Sequence, residues 1–82
     1  MKYNIEFKPL AVKDFEALPS GIQARVLAKI EGMTDNLSGD VKHITDSTPE
    51  YRLRVGEYRV LFEIERGAIV IYRIRHRREA YR

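Results

Sequence analysis

Arg52, Arg54 and Arg59 stand in the stretch YRLRVGEYR (51–59), and Arg73, Arg75, Arg77 and Arg78 follow in YRIRHRRE (72–79). Residues 51–82 hold nine Arg and no Lys against four acids, a charge of +5; residues 1–50 hold five Lys and one Arg against eight acids, a charge of −2. A guanidinium stays charged at any relevant pH and presents a rigid fork of donors that fits phosphate oxygens. Such a concentration suits a polyanionic partner. It also suits phosphoryl chemistry, because donors fixed where negative charge grows give large transition-state stabilisation. RNA can be cut this way without added water: the ribose 2′-OH attacks the adjacent phosphate and leaves a 2′,3′-cyclic phosphate and a 5′-OH. The reaction needs a base, an acid and positive charge at the phosphorane. Arg52 and Arg59 are candidates to grip the phosphate. His76 is the only histidine of the second half, and histidine is the side chain that changes charge near neutrality. Tyr81 offers a ring on which an unpaired base can stack.

The elements that would carry these residues can be read from periodicity. YNIEFK (3–8) alternates as a strand, and Pro9 then opens a helix, where its missing N–H costs nothing. Ala11, Phe15 and Leu18 lie on one face of that helix, which Pro19 ends. Ser20 to Gln23 reads as a capping box, followed by a second helix with Ile22, Val26, Ile30 and Met33 on one stripe and Leu27 beside it, fading near Asp35 or Asn36. Residues 37–50 (LSGDVKHITDSTPE) have no periodicity and read as a loop that leaves His43 in solvent. Three strands follow, with turns at Gly56-Glu57 and at ERGA (65–68). Alternation puts Tyr51, Leu53, Val55, Tyr58, Val60, Phe62, Ile64, Val70, Tyr72 and Ile74 on one set of faces. It puts Arg52, Arg54, Arg59, Leu61, Glu63, Ile69, Ile71, Arg73 and Arg75 on the other.

The expected order is β-α-α-β-β-β, an α+β fold with the helix hairpin packed on one face of a small antiparallel sheet. The opposite face would hold Arg52, Arg54, Arg59, Arg73 and Arg75. The acids nearest in sequence, Glu57, Glu63 and Glu65, are too few to neutralise it, so an anionic ligand is implied. Arg73 and Arg75 have an equally good reading as solvated strand positions, and Arg78 and Arg82 as surface charges or general RNA contacts.

Composition narrows the class. With 82 residues the chain reads as one domain, 1–82, with a thin core, since chains of this size bury only about 60–65% of their unfolded surface. There is no cysteine and the two histidines are far apart, so neither a disulfide framework nor a zinc site is expected. No apolar run approaches a membrane span and MKYNIEFK does not read as a signal peptide, so a cytoplasmic protein is expected.

YRLRVGEYR, the apolar strand after it and HRREAYR together resemble the RelE/ParE superfamily of toxin–antitoxin toxins, over essentially the whole chain. The resemblance implies a RelE-like, microbial-RNase-like fold. RelE-type members are mRNA endoribonucleases acting in the ribosomal A site without metal or cofactor, whereas ParE-type members inhibit DNA gyrase and lack the basic catalytic set. The RelE pattern falls on Arg52, Arg54, Arg59, Arg77 and Tyr81. With His76 added for its titration near neutrality and the remaining arginines for their charge, the expected catalytic set is Arg54, Arg59, His76, Arg77 and Tyr81, with Arg52, Arg73, Arg75 and Arg78 binding RNA. This chain has Arg52 and Arg54 where the best-known RelE toxin has lysines, and arginine cannot act as a base. The implied partners are mRNA, the ribosome and a cognate antitoxin, RelB-like or Phd/YefM-like. Two other readings stand beside this one: a ParE-like gyrase inhibitor without chemistry, and a non-catalytic RNA-binding module.

Overall fold

The computed structural model describes residues 2–80. In chain order it contains β1 (Asn4–Phe7), α1 (Pro9–Glu16), α2 (Ser20–Gly32), β2 (Val41–His43), β3 (Tyr51–Val55), β4 (Tyr58–Glu65) and β5 (Ala68–His76). The five strands form one sheet in the order β1-β5-β4-β3-β2. Every pairing is antiparallel except that of β1 with β5, which is parallel; the helix hairpin carries the chain from β1 at one edge of the sheet to β2 at the other. The helices cover one face, as the apolar stripes require. Ala11, Val26, Ile30 and Met33 from the helix side meet Leu53, Val55, Val60, Phe62, Ile69, Ile71 and Ile74 from the sheet. Among the described residues no helix is long and apolar enough to cross a membrane.

The two tight hairpins follow from their turn residues. Gly56 takes a φ of 57° between paired Val55 and Tyr58, and Arg66 and Gly67 take 50° and 78° between paired Glu65 and Ala68. Left-handed backbone at these positions matches the right-handed twist of the flanking strands. A Cβ at Gly56 would stand 3.4 Å from both terminal nitrogens of Arg25 on α2, an ordinary contact, so the backbone conformation and not the space is what favours glycine there.

Four local expectations are corrected. The segment 37–50 is not all loop, because Val41–His43 pairs with Leu53–Tyr51 as a three-residue edge strand too short to show a period. The capping box at Ser20 does not form. Pro19 is the cap, Ser20 already lies in the helix, and Gln23 instead donates from Nε2 to the carbonyls of Phe15 (2.9 Å) and Glu16 (3.4 Å), tying α2 to the end of α1. α2 ends at Gly32, earlier than its stripe suggests. The alternation of β5 is broken by a bulge: Leu61 pairs with Arg73 but its neighbour Phe62 pairs with Ile71, so Tyr72 is the extra residue. Ile69 and Ile71 therefore face the core together with Ile74. Tyr72 leaves the core phase, donates its hydroxyl to Glu65 (3.1 Å) and lies under the Lys8 ammonium.

Candidate nucleic-acid interface

The register of the three long strands determines what stands beside what on the face away from the helices. Arg54 pairs with Arg59 and Arg59 with Arg75, which makes a row of three arginines across β3, β4 and β5. The next row runs Lys42, Arg52, Leu61, Arg73 across β2 to β5. Arg77 adds to the same side beyond the first row, its backbone N–H donating to the Glu57 carbonyl at 2.7 Å. Five of the predicted residues are thus brought to one face, and Arg77 to its edge. Lys42, Arg52, Arg54 and Arg59, with Ile44, line an open hollow of about 410 Å³. Lys42 carries no sequence signal of its own, since a three-residue strand shows no alternation. It places an amine in the hollow that Arg52 and Arg54 otherwise fill with guanidiniums.

The face is less unbalanced than the neighbouring sequence suggests. Acids from distant parts of the chain reach it, so the expectation that it lacks internal neutralisation is corrected. Arg52 donates from Nη1 to both the carbonyl (2.9 Å) and the carboxylate (3.0 Å) of Asp40. Arg73 grips Asp14 on α1 through Nε at 2.8 Å and Nη2 at 3.1 Å. Arg75 meets Glu79 at 3.4 Å and Arg77 meets Glu57 at 2.7 Å. Arg59 is held differently: its Nη1 donates to the carbonyls of Gly56 (2.9 Å) and Tyr58 (3.0 Å), which fixes the guanidinium without cancelling its charge. Arg54 is exposed, and among the described residues its side chain makes no hydrogen bond or ion pair. Two of the three arginines in the first row therefore keep their charge for a ligand, one of them already oriented.

Asp14 does a second task. β1 covers β5 only as far as Ile71, and the Asp14 carboxylate accepts the Ile74 N–H (2.9 Å) on the open edge beyond. Burial pushes the Asp14 carboxyl up, but the Arg73 hydrogen bonds, the Ile74 N–H and the charges of Arg73 and Arg75 together hold it below the usual carboxylate value. Asp40 is likewise held low, foremost by its hydrogen bond from Arg52.

The other candidates are placed apart. His76 pairs with Tyr58, and their rings meet edge-on with centroids 5.5 Å apart, on the helix-covered side of the sheet end rather than in the arginine row. Its Nδ1 accepts the Arg78 N–H at 3.3 Å, and the Arg78 side chain is exposed. Tyr81 lies outside the described residues. One group of potential metal ligands occurs among the described residues: His43, Asp46 and Glu50, whose ligand atoms lie within 4.8 Å of one another. All three sit at or within loop 44–50, and His43 is paired with Glu50 at 3.2 Å.

With this geometry established, comparison with known proteins identifies the family. The model of the ParE toxin of type II toxin–antitoxin systems, parDE, matches residues 5–81. The chain belongs to that family, within the RelE/ParE superfamily, and its relatives are of the RelE kind. Toxin RelE3 of Methanocaldococcus jannaschii is 32% identical over 83 residues, covering 95% of this chain and 94% of that protein. The toxin of the RelB–RelE antitoxin–toxin complex from Methanococcus jannaschii superimposes with a TM-score of 0.76 at 32% identity, over 93% of this chain and 94% of that one. A chain of the toxin–antitoxin complex RelBE2 from Mycobacterium tuberculosis does so with a TM-score of 0.80 at 25% identity, over 93% and 99%. The chain is a RelE-like toxin of a type II toxin–antitoxin system.

Proposed function

We propose that this toxin is a metal-independent mRNA endoribonuclease of the cytoplasm that cuts messages in the ribosomal A site and is silenced by a RelB-like antitoxin. The observation that carries the proposal is the hollow in which Lys42, Arg52, Arg54 and Arg59 converge, with the charges of Arg54 and Arg59 uncancelled. A phosphodiester seated there meets Arg54 and Arg59 at its non-bridging oxygens. The 2′-oxygen attacks phosphorus, the bond from phosphorus to the 5′-oxygen breaks, and the products are a 2′,3′-cyclic phosphate and a 5′-OH. The hydroxyl proton passes to Lys42 in its neutral amine form, a form that a guanidinium cannot take, and the departing 5′-oxygen takes a proton from water to become the 5′-OH. Arg77, Tyr81 and His76 belong to the C-terminal segment. Arg77 serves the leaving oxygen and Tyr81 the base or the ribose, while His76, on the far side of the sheet end, takes no step.

An antitoxin partner is supported by the two solved neighbours, each of which is a complex of toxin with antitoxin. Mapping of messages in a translating extract tests the activity: 2′,3′-cyclic phosphate ends within A-site codons are expected, and intact messages would overturn it. The family match to a ParE toxin favours one rival, gyrase inhibition without chemistry. Undisturbed supercoiling by gyrase in the presence of the protein removes that rival. Growth arrest by the toxin alone, relieved by co-expressing a RelB-like antitoxin, tests the partner.

A further inference from the structure

We infer that Glu57 is a positioning residue of the cutting site, whose carboxylate aims the Arg77 guanidinium at the oxygen that leaves the phosphate. The inference rests on the reading of the arginine face as an RNA-cutting site and deepens it by naming what holds one of its working groups.

The turn between β3 and β4 has two residues, and each holds one arginine. The Gly56 carbonyl accepts a hydrogen bond from Arg59 Nη1 at 2.9 Å. Glu57 holds Arg77 twice. Its carbonyl accepts the Arg77 N–H at 2.7 Å, and its carboxylate pairs with Arg77 Nε, also at 2.7 Å. The first contact extends the β4–β5 ladder one residue beyond its last pair, Tyr58 with His76, and any residue at 57 would make it. The second needs the acid. Arg77 stands where the chain leaves the sheet: the Glu79 N–H turns back to the His76 carbonyl at 2.8 Å, and Ala80 is buried. Arginine is among the side chains with most rotamer freedom, and that of Arg77 is 56% exposed, so holding its backbone does not aim its guanidinium.

An exposed pair of this kind contributes little to stability. An acid beside the arginine face also costs affinity for a polyanion, because it cancels part of the charge that phosphates would meet. What the pair supplies is direction. A guanidinium has five N–H donors, so one carboxylate leaves several for an incoming oxygen. No other group among the described residues takes up the guanidinium of Arg77. The arrangement repeats at Arg59, which the Gly56 and Tyr58 carbonyls hold through a single nitrogen. One turn therefore fixes two arginines relative to each other, Arg59 for the non-bridging oxygens and Arg77 for the leaving oxygen. Donors set in place before charge develops need no reorganisation when it does.

The test compares Glu57→Gln, Glu57→Asp, Arg77→Ala and the double variant Glu57→Gln/Arg77→Ala. For each, single-turnover cleavage on programmed ribosomes, binding to single-stranded RNA and the thermal midpoint are measured. Glu57→Gln keeps the shape and removes the charge. It is expected to bind RNA more tightly than the wild type, with a salt slope steeper by about 0.7, and yet to cut roughly ten- to hundredfold more slowly, at an unchanged midpoint. Binding and cutting that move in opposite directions are not what a loss of folding produces. Glu57→Asp, which keeps the charge, should recover part of the rate. The double variant should cut no more slowly than Arg77→Ala alone, because Glu57 acts through Arg77. A Glu57→Gln protein that cuts at the wild-type rate while Arg77→Ala is slow would overturn the inference, as would a double variant slowed by the product of the two single effects. An Arg77→Ala protein that cuts at the wild-type rate would instead count against the place of Arg77 in the cutting site, so the two failures are separable.

Discussion

At the scale of single residues, the arginine face divides into groups that are occupied and groups that are free. Arg52, Arg73, Arg75 and Arg77 have carboxylate partners, while Arg54 has none among the described residues and Arg59 spends one nitrogen on backbone carbonyls. Arg54→Ala and Arg59→Ala should each lower the cleavage rate on programmed ribosomes by on the order of a hundredfold, the cost of one preorganised donor. Stability should move by no more than about 0.5 kcal/mol for the exposed Arg54, readable as an unchanged thermal midpoint. Arg59→Lys should recover only part of the rate, since an ammonium cannot make a two-pronged contact. Lys42→Arg separates binding from proton transfer: RNA affinity should hold while the single-turnover rate collapses. A Lys42→Arg protein that cuts at the wild-type rate would remove Lys42 from the role of base.

At the scale of elements, the most informative tie is Asp14, which joins α1 to the open edge of β5 through Arg73 and the Ile74 N–H. Its folded carboxyl titrates below the ordinary value of 3.8. The sign follows directly: the tie contributes stability at any pH above the ordinary value and loses it as pH falls through the lower, folded value. Asp14→Asn should therefore lower stability near neutral pH, by roughly 1–3 kcal/mol for a charge-assisted hydrogen bond. It should also flatten the acid limb of the stability curve below about pH 4. Thermal melts from pH 2 to 7 on both proteins check this, and parallel curves would contradict it. The β3–β4 hairpin is a second such element. Gly56→Ala must hold a left-handed φ, a cost of about 1–2 kcal/mol. It should reduce cleavage as well as stability, because the same hairpin carries Arg54 and Arg59.

For the whole molecule, charge is the governing quantity, and the acid pairs reduce how much of it a nucleic acid can use. If every arginine after residue 50 met a phosphate, affinity for single-stranded RNA would fall with salt at a slope near −6, at about −0.7 for each phosphate neutralised. With Arg54, Arg59 and Lys42 as the cations of the hollow that have no carboxylate partner among the described residues, a slope of roughly −2 is expected for RNA seated there. Arg54→Ala should reduce it by about 0.7, and Asp40→Asn, which releases Arg52, should increase it by a similar amount. Binding measured across a salt series decides between these values.

The amino-acid sequence by itself determined the segregation of this protein into an apolar and a basic side. Strand alternation is local, so Leu53, Val55, Val60 and Phe62 and, on the opposite phase, Arg52, Arg54 and Arg59 declare their faces from neighbours two residues away. The helix stripes through Val26, Ile30 and Met33 and the turns at Gly56 and Gly67 are equally local. What only the tertiary structure decided depends on residues far apart in the chain. Asp14 lies 59 positions from Arg73, and Asp40 lies 12 from Arg52, so no window of sequence shows which arginines are neutralised. The bulge at Tyr72 breaks the period of β5, and it is seen only in the register of β5 against β4, where Leu61 pairs with Arg73 and Phe62 with Ile71. Lys42 and Ile44 gain their places only when β2 adds to the edge of β3 and its loop folds back over Leu61. The hollow is a product of that folding back, which three strand residues are too few to announce.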